Sequence, residues 1–299
     1  MKAVFVTTFP NDVANVVAAW DCWSEIKSER IIFSRPPTRP DFRQPINRDT
    51  DILRCVETAL PDVIFYIGAA GGGRMYQLGI ETLQALREIA PSINLVFDGG
   101  DRPWHTLIEE YRRCKCFDLQ VTIDGCLDSP VDFVTIAPVD TRLFTEEGSV
   151  KDIFCGISGN IGPNDQRSKI INPLIQTGLV KMRMRDVVGE GFPEHVAFMQ
   201  RCQMIINTSY VGSGKGHHVK QRVFETGFAG AALLECVDAP THHWIPPTHF
   251  FTYENSEHAS KVIKSLGAEE VAEKGRMLQE HVRSHYTPQQ VYGAMLDRL

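Results

Sequence analysis

The chain has 299 residues, 43% hydrophobic and 23% charged, with a formal net charge of -6. That length suits about two domains of ~100–200 residues each, and the acidic balance argues against nonspecific affinity for nucleic acid while leaving room for a local basic groove. No run of ~18 apolar residues occurs, so no membrane-spanning helix is expected. The eight cysteines include no C-x-x-C pair, their closest spacing being Cys114-x-Cys116. They suggest neither a zinc site nor a disulfide framework, and reduced thiols in a cytoplasmic protein are the expectation.

The opening MKAVFVTTFPND has one lysine and a short apolar run without a cleavage-site pattern, so it reads as a first strand rather than a signal peptide. Residues 11–27 carry apolar positions at helical spacing, RIIFSR is a second strand, and the Pro- and Arg-rich PPTRPDFRQPINRDT fits neither period and reads as a loop. LPDVIFYIG, INLVFDGG and FDLQVTIDG are three further strands, with helices YQLGIETLQALREIA and HTLIEEYRRCK between them. Strands that are apolar throughout, separated by helices, predict a parallel sheet covered on both faces.

FVTIAPVDTRLFTEEGS breaks this rhythm and reads as an interdomain linker, with the boundary near 138–150. A second α/β series follows through DIFCGISGN, GLVKMRM, CQMIINTSY, AALLEC and HFFTY, with helices near 193–201, 221–230, 256–265 and 268–284. The last segment, TPQQVYGAML, has a cap-like Thr287 and Pro288 at a first helical position. Two Rossmann-like halves facing a cleft is the simplest architecture: α/β, residues 1–140 and 141–286, with 287–299 as a terminal helix.

The stretch VKQRVFETGFAGAALLE sets a lone acid, Glu225, among residues small enough for two backbones to touch. On its own, Glu225 reads equally well as a first-turn acid complementing its helix dipole. RVFETGFAGAALLE, however, resembles the core motif of GT-B glycosyltransferases, and in particular the spore-maturation, CgeB-like group with its R-x-F-E-x-x-x-x-G pattern. CQMIINTSY, THFFTYEN, SEHASKVIKSL and HYTPQQVYGAML are similar to the same family in the same order, over about residues 150–296. Before that the likeness is architectural, apart from PDVIFYIG, DGGD and APVD.

The resemblance implies a GT-B fold in which the second half holds a nucleotide-diphosphate sugar, UDP-linked, the first half holds the acceptor, and the terminal helix crosses back to the first domain. It implies that Glu225 accepts hydrogen bonds from the ribose hydroxyls, with Thr226 beside it on the donor. A carboxylate suits that role because it is an acceptor-only group, and a helix start next to it favours a diphosphate.

SYVGSGKGHHVKQR concentrates Lys215, Lys220, Arg222, His217 and His218 just before that helix. It is not a P-loop, since Lys215 is followed by Gly216. A basic loop there suits a leaving diphosphate, and a solvated surface loop is the plain alternative. Where many family members have the first acid of E-x7-E on the transferred sugar, this chain has His217, eight residues before Glu225. That departure leaves the sugar and the stereochemical outcome open, and makes His217 a catalytic candidate.

The glycine-rich turn in DIFCGISGNIGPNDQRSKI would bring Ser158, Arg167 and Lys169 to the donor phosphates, with a surface role for Arg167 nearly as good, and Arg183-Met184-Arg185 would lie near the base. In VFDGGDRPWH, Asp101 or His105 could serve as general base for an inverting transfer, while turn-forming and capping aspartates are the bland reading. GAAGGGRM fails the dinucleotide pattern, and the histidines, His242-His243 and His249 included, show no H-x-x-x-H pair, so no metal site and no cofactor beyond the donor is expected.

The expected function is a metal-independent hexosyl or pentosyl transfer to an unidentified hydroxyl on a glycan, lipid, protein, small molecule or modified nucleobase. A sugar-nucleotide epimerase of the same fold and a noncatalytic nucleotide-sugar-binding protein are the rival readings.

Overall fold

The computed structural model describes residues 1–7, 14–32, 49–68, 77–145, 150–159, 161, 166–183, 192–210 and 216–299. The chain divides into two compact units, Met1–Asp140 with Pro288–Leu299, and Thr141–Thr287.

The first unit runs β1 (Ala3–Thr7), α1 (Ala14–Trp23), β2 (Glu29–Ile32), α2 (Asp49–Ala59), β3 (Val63–Ile67), α3 (Ile80–Ile89), β4 (Ser92–Val96), α4 (Arg102–Arg113), β5 (Leu119–Thr122) and β6 (Phe133–Val134). Its six strands pair in the order β2-β1-β3-β4-β5-β6, each with its neighbours in parallel. β1, β3 and β4 are buried at every position, as expected where helices cover both faces. The last helix, α10 (Pro288–Leu296), belongs to this unit. Its Tyr292 is fully buried, donates to the Val16 carbonyl at 2.6 Å, and sets its ring edge-on to Trp20 at 5.0 Å and Phe65 at 5.6 Å.

The second unit runs β7 (Ile153–Ser158), α5 (Gln166–Gln176), β8 (Lys181–Arg183), α6 (Phe192–Arg201), β9 (Cys202–Ile206), α7 (Gln221–Phe228), β10 (Ala232–Cys236), β11 (Phe251–Tyr253), α8 (Ser256–Ser265) and α9 (Ala268–His285). Five strands pair in the order β11-β10-β9-β7-β8, again all in parallel. Counted within each unit, both sheets read 2-1-3-4-5, with β6 added to the first. In this doubly wound order ligands bind beyond the carboxyl ends of the strands where the winding reverses. That point lies between β1 and β3 in the first unit and between β7 and β9 in the second.

Small residues on α7 and α9 let these layers close. A β-carbon on Gly227 of α7 would lie 2.7 Å from Val282 Cγ2 of α9. One on Gly275 of α9 would lie 3.0 Å from the Gly230 carbonyl oxygen and 3.1 Å from the Ala232 nitrogen at the start of β10.

Three elements depart from the sequence expectation. α2 begins at Asp49, inside the stretch read as loop; Asp49 and Asp51 occupy its first turn and Ile52, Val56 and Ala59 its buried face. α5 accommodates Pro173, a residue that argues against a helix interior. β6 is a two-residue strand, half-buried, within the segment read as linker. Among the described residues no helix is long and apolar enough to cross a membrane.

Candidate functional site

The carboxyl ends of β7, β9 and β10 and the start of α7 hold a cluster of buried polar groups. Parallel strands deliver their last residues to one edge of a sheet, so Ser158, Asn207 just after β9, and Glu235 near the end of β10 come together. α7 follows Lys220, whose extended backbone (φ -72, ψ 144) stands at the helix N-cap.

Glu225 lies one turn into α7 and is only 4% exposed. Its Oε2 accepts from His195 Nε2 at 3.0 Å, and His195 Nδ1 lies 2.8 Å from Ser158 Oγ. With Glu225 as carboxylate, the proton sits on Nε2 and neutral imidazole accepts the Ser158 hydroxyl on Nδ1, an assignment made from the network. The order hydroxyl–imidazole–carboxylate matches that of a hydrolytic triad. Ser158, however, is 1% exposed, so the row serves as a brace for the carboxylate rather than as an attacking hydroxyl. Among the described residues Glu225 Oε1 has no hydrogen-bond partner, while Oε2 is held.

Arg222 sits one turn earlier. Its Nη1 donates to Asn207 Oδ1 at 3.1 Å. The guanidinium also passes so close to Gly159, just after β7, that a β-carbon there would run into it. Gly159 has φ +137, a backbone region that side chains strongly disfavour, so the conformation requires glycine here. Asn207 is oriented from below. Its Nδ2 donates to Glu235 Oε2 at 2.8 Å and its carbonyl accepts from Tyr253 OH at 2.6 Å.

Glu235 is fully buried and receives three further hydrogen bonds: Ser209 Oγ at 2.9 Å, Thr241 Oγ1 at 3.1 Å and the Cys236 N–H at 2.9 Å. Burial pushes its carboxyl up from the ordinary glutamate range, and these four donors oppose that shift. A chain of contacts thus runs from the core carboxylate through Asn207 to Arg222, and fixes the cation at the point where the winding reverses.

The remaining sequence candidates distribute as follows. Thr226 is fully buried, and its hydroxyl donates to the Arg222 carbonyl at 2.6 Å, inside its own helix. Arg167 is half-buried and Lys169 exposed in the first turn of α5. Lys215, Arg185 and most of GAAGGGRM lie outside the described residues. Asp101 stands at the N-cap of α4, its carbonyl accepting from the Trp104 N–H at 3.0 Å, and His105 Nε2 is 3.1 Å from the Gly99 carbonyl in the same turn. Asp98, before it, has φ 57.

His217 does not reach Glu225's brace. It pairs by a backbone bridge with Tyr210, packs on that ring at 4.4 Å, and lies with Nε2 3.9 Å from Cys236 Sγ. Burial lowers its pKa below the usual histidine value, while nearby Asp238 opposes the shift. His217, Cys236 and Asp238 offer ligand atoms all within 4.8 Å of one another. The sequence spacing did not signal this group, because its members come from a loop and a strand end.

The sequence reading missed His195, Asn207 and Glu235. His195 is a single histidine on α6 with no spacing signal. Glu235 does carry one: a lone acid inside an apolar parallel strand has to be satisfied by buried donors.

No protein-family model matches the sequence, and comparison with curated proteins finds no match. Solved structures do match over the whole chain. Anabaena HepE in complex with UDP and glucose is 9% identical with a TM-score of 0.67, covering 99% of this chain and 98% of that one. An alpha-glucosyltransferase in complex with UDP-glucose and abasic-site DNA is 10% identical with a TM-score of 0.63, over 99% and 98%. AviGT4, a glycosyltransferase of avilamycin A biosynthesis, is 13% identical with a TM-score of 0.57, over 100% and 96%. The fold of this chain is therefore that of the GT-B glycosyltransferases.

Proposed function

We propose that this chain is a glycosyltransferase that moves a hexosyl or pentosyl group from a nucleotide-diphosphate sugar, UDP-linked, to an acceptor hydroxyl, and that its sequence places it with the CgeB-like group. The observation that carries the reading is the buried Glu225, with Oε2 held by His195 and Oε1 left to accept. It stands beside an arginine pinned at the reversal point of the second sheet. A carboxylate held in this way suits a ribose hydroxyl, and a fixed guanidinium suits a diphosphate. The likeness to proteins solved with UDP, UDP and glucose, and UDP-glucose supports the same reading.

In the proposed reaction the bond between the anomeric carbon and the diphosphate oxygen breaks, and negative charge builds on the diphosphate. Arg222, Lys220, Lys215 and the first amides of α7 meet that charge, with Arg167, Lys169 and the end of β7 at Ser158 on the same side. The transfer is proposed to need no divalent ion at the diphosphate, because cationic side chains and helix amides can meet that charge. Asp101 is the proposed base for the acceptor proton, and His217 is the proposed contact to the transferred sugar.

The test is a panel of labelled nucleotide sugars incubated with the protein, with and without glycan, lipid, protein, small-molecule and nucleobase acceptors, in the presence and absence of a chelator. Transfer or donor hydrolysis that survives chelation supports the proposal. Epimerised donor would assign an epimerase instead, and binding without turnover a nucleotide-sugar-binding protein.

A further inference from the structure

We propose that His217, Cys236 and Asp238 bind a zinc-class divalent metal ion, which clips the segment leading into α7 to the end of β10. The proposal rests on these three side chains; it gives His217 to the metal in place of the sugar contact proposed above and leaves the rest of the donor chemistry untouched.

The ligand set is imidazole, thiolate and carboxylate, the combination that favours zinc among the common divalent ions. Zinc bonds of ~2.0–2.1 Å to nitrogen and ~2.3 Å to sulfur at a tetrahedral angle put those two atoms about 3.5 Å apart. His217 Nε2 and Cys236 Sγ are already 3.9 Å apart. The widest separation in the trio is within 4.8 Å, so it has to close by about an ångström. Asp238 is exposed and can swing to do so.

The supporting contacts are those a metal site needs. Burial pushes the Cys236 thiol up from its ordinary pKa and the Asp238 backbone N–H opposes that shift, so the thiolate forms as the metal binds rather than before it. The Tyr210 bridge and ring hold His217 in place. Below, the Cys236 N–H is tied to the buried Glu235 carboxylate. Cys236 is 2% exposed and Asp238 is open to solvent, so the ion would sit with its thiolate inside and its carboxylate outside, leaving a fourth position for water. Binding requires the thiol to lose its proton to solvent as the metal–sulfur bond forms.

The consequence is mechanical. His217 precedes Lys220, the α7 N-cap, by three residues, and Cys236 ends β10, so an ion bridging them ties the entry to α7 to the strand behind it.

The experiment is a cobalt and zinc titration of the full chain after chelator treatment. Wild type should bind one equivalent of cobalt, with a thiolate-to-metal charge-transfer band and tetrahedral ligand-field bands, and zinc should displace the cobalt and raise the melting temperature. Cys236→Ser should abolish the charge-transfer band, although seven other cysteines remain. Asp238→Asn alters only an exposed side chain, so its metal-free melt should match wild type while its affinity falls by about tenfold or more on losing one ligand. The proposal is overturned if wild type shows no thiolate band, or if both variants bind with wild-type affinity.

Discussion

Gly227→Ala tests how α7 is held against α9. A β-carbon at this position would lie 2.7 Å from Val282 Cγ2, 2.8 Å from Val282 Cγ1 and 3.1 Å from Leu278 Cγ, where carbon atoms prefer ~3.5–4.0 Å. Val282 is fully buried on α9, and its rotamer is strongly restricted in a helix. Rotation would only exchange one methyl for the other, so the helices must separate. Overpacking of this kind costs ~1–3 kcal/mol, and overlap with two methyls places this case near ~3. Alanine recovers ~1 kcal/mol of helix propensity over glycine.

The net loss is then about 2 kcal/mol, a fall in Tm of roughly 4–8 °C at ~2–4 °C per kcal/mol for a unit of this size. Val282→Ala alone should cost about 2 kcal/mol, as large-to-small core changes do. In the double variant the new methyl enters the vacated space, so it should be no less stable than Val282→Ala. Chemical denaturation of the four proteins gives the coupling. Additive losses would refute the account of α7 as a helix whose approach to α9 requires glycine. Because Glu225 lies two residues before Gly227, the single variant should also weaken nucleotide binding under conditions where it is fully folded.

His195→Ala removes the brace on Glu225 and should weaken UDP binding by about tenfold in calorimetry, in line with the ~1.5–3 kcal/mol of a hydrogen bond to a charged group; unchanged affinity would mean that Glu225 needs no brace. Tyr292→Phe removes a buried hydrogen bond to the Val16 carbonyl within α1 and should lower unfolding free energy by ~0.5–1.5 kcal/mol, read by denaturant titration. Burial holds the pKa values of His249 and His281 below the ordinary histidine value, His281 also facing His285, and His249 facing both Lys274 and His281. Their unfolded forms take up protons first, so their contribution to stability is intact above ~6.5 and is lost as pH falls through that value. Melts from pH 8 to about pH 5 should show this decline, and it should be smaller in His281→Gln; a pH-independent Tm would refute it.

The alternation of apolar strands and helices made both parallel sheets legible, because strands buried on both faces leave an unbroken apolar run, as in VIFYI and ALLEC. α2 was hidden by its position directly after a Pro-rich stretch, although its buried Ile52, Val56 and Ala59 keep helical spacing. The setting of Glu225 among small residues was legible. Gly227 and Gly275 show what that setting accomplishes, since each brings α9 against a neighbouring backbone or helix. The brace was not legible. His195 reaches Glu225 across 30 positions, and Asn207 reaches Glu235 across 28. Such pairs depend on strand order, which brings β7, β9 and β10 to one edge, and local spacing carries no trace of it. The His217 group illustrates the same limit, since a loop and a strand end meet only after the sheet has formed.

The central claim, that Glu225 accepts from the ribose of a nucleotide sugar, is tested most directly by a double cycle in calorimetry. Wild type and Glu225→Gln are each titrated with UDP and with UDP lacking a ribose hydroxyl, taking the 2′ and 3′ positions in turn. Glutamine has nearly the same volume and keeps part of the hydrogen bond, so the variant should stay folded and lose about ten- to a hundredfold in affinity, at ~1.4 kcal/mol per tenfold. Removing the hydroxyl that Glu225 holds should cost wild type a similar factor and the variant much less. If Glu225→Gln binds UDP as tightly as wild type, or if both proteins lose the same factor with every deoxy nucleotide, Glu225 is only a buried acid held by His195 within α7 and the claim fails.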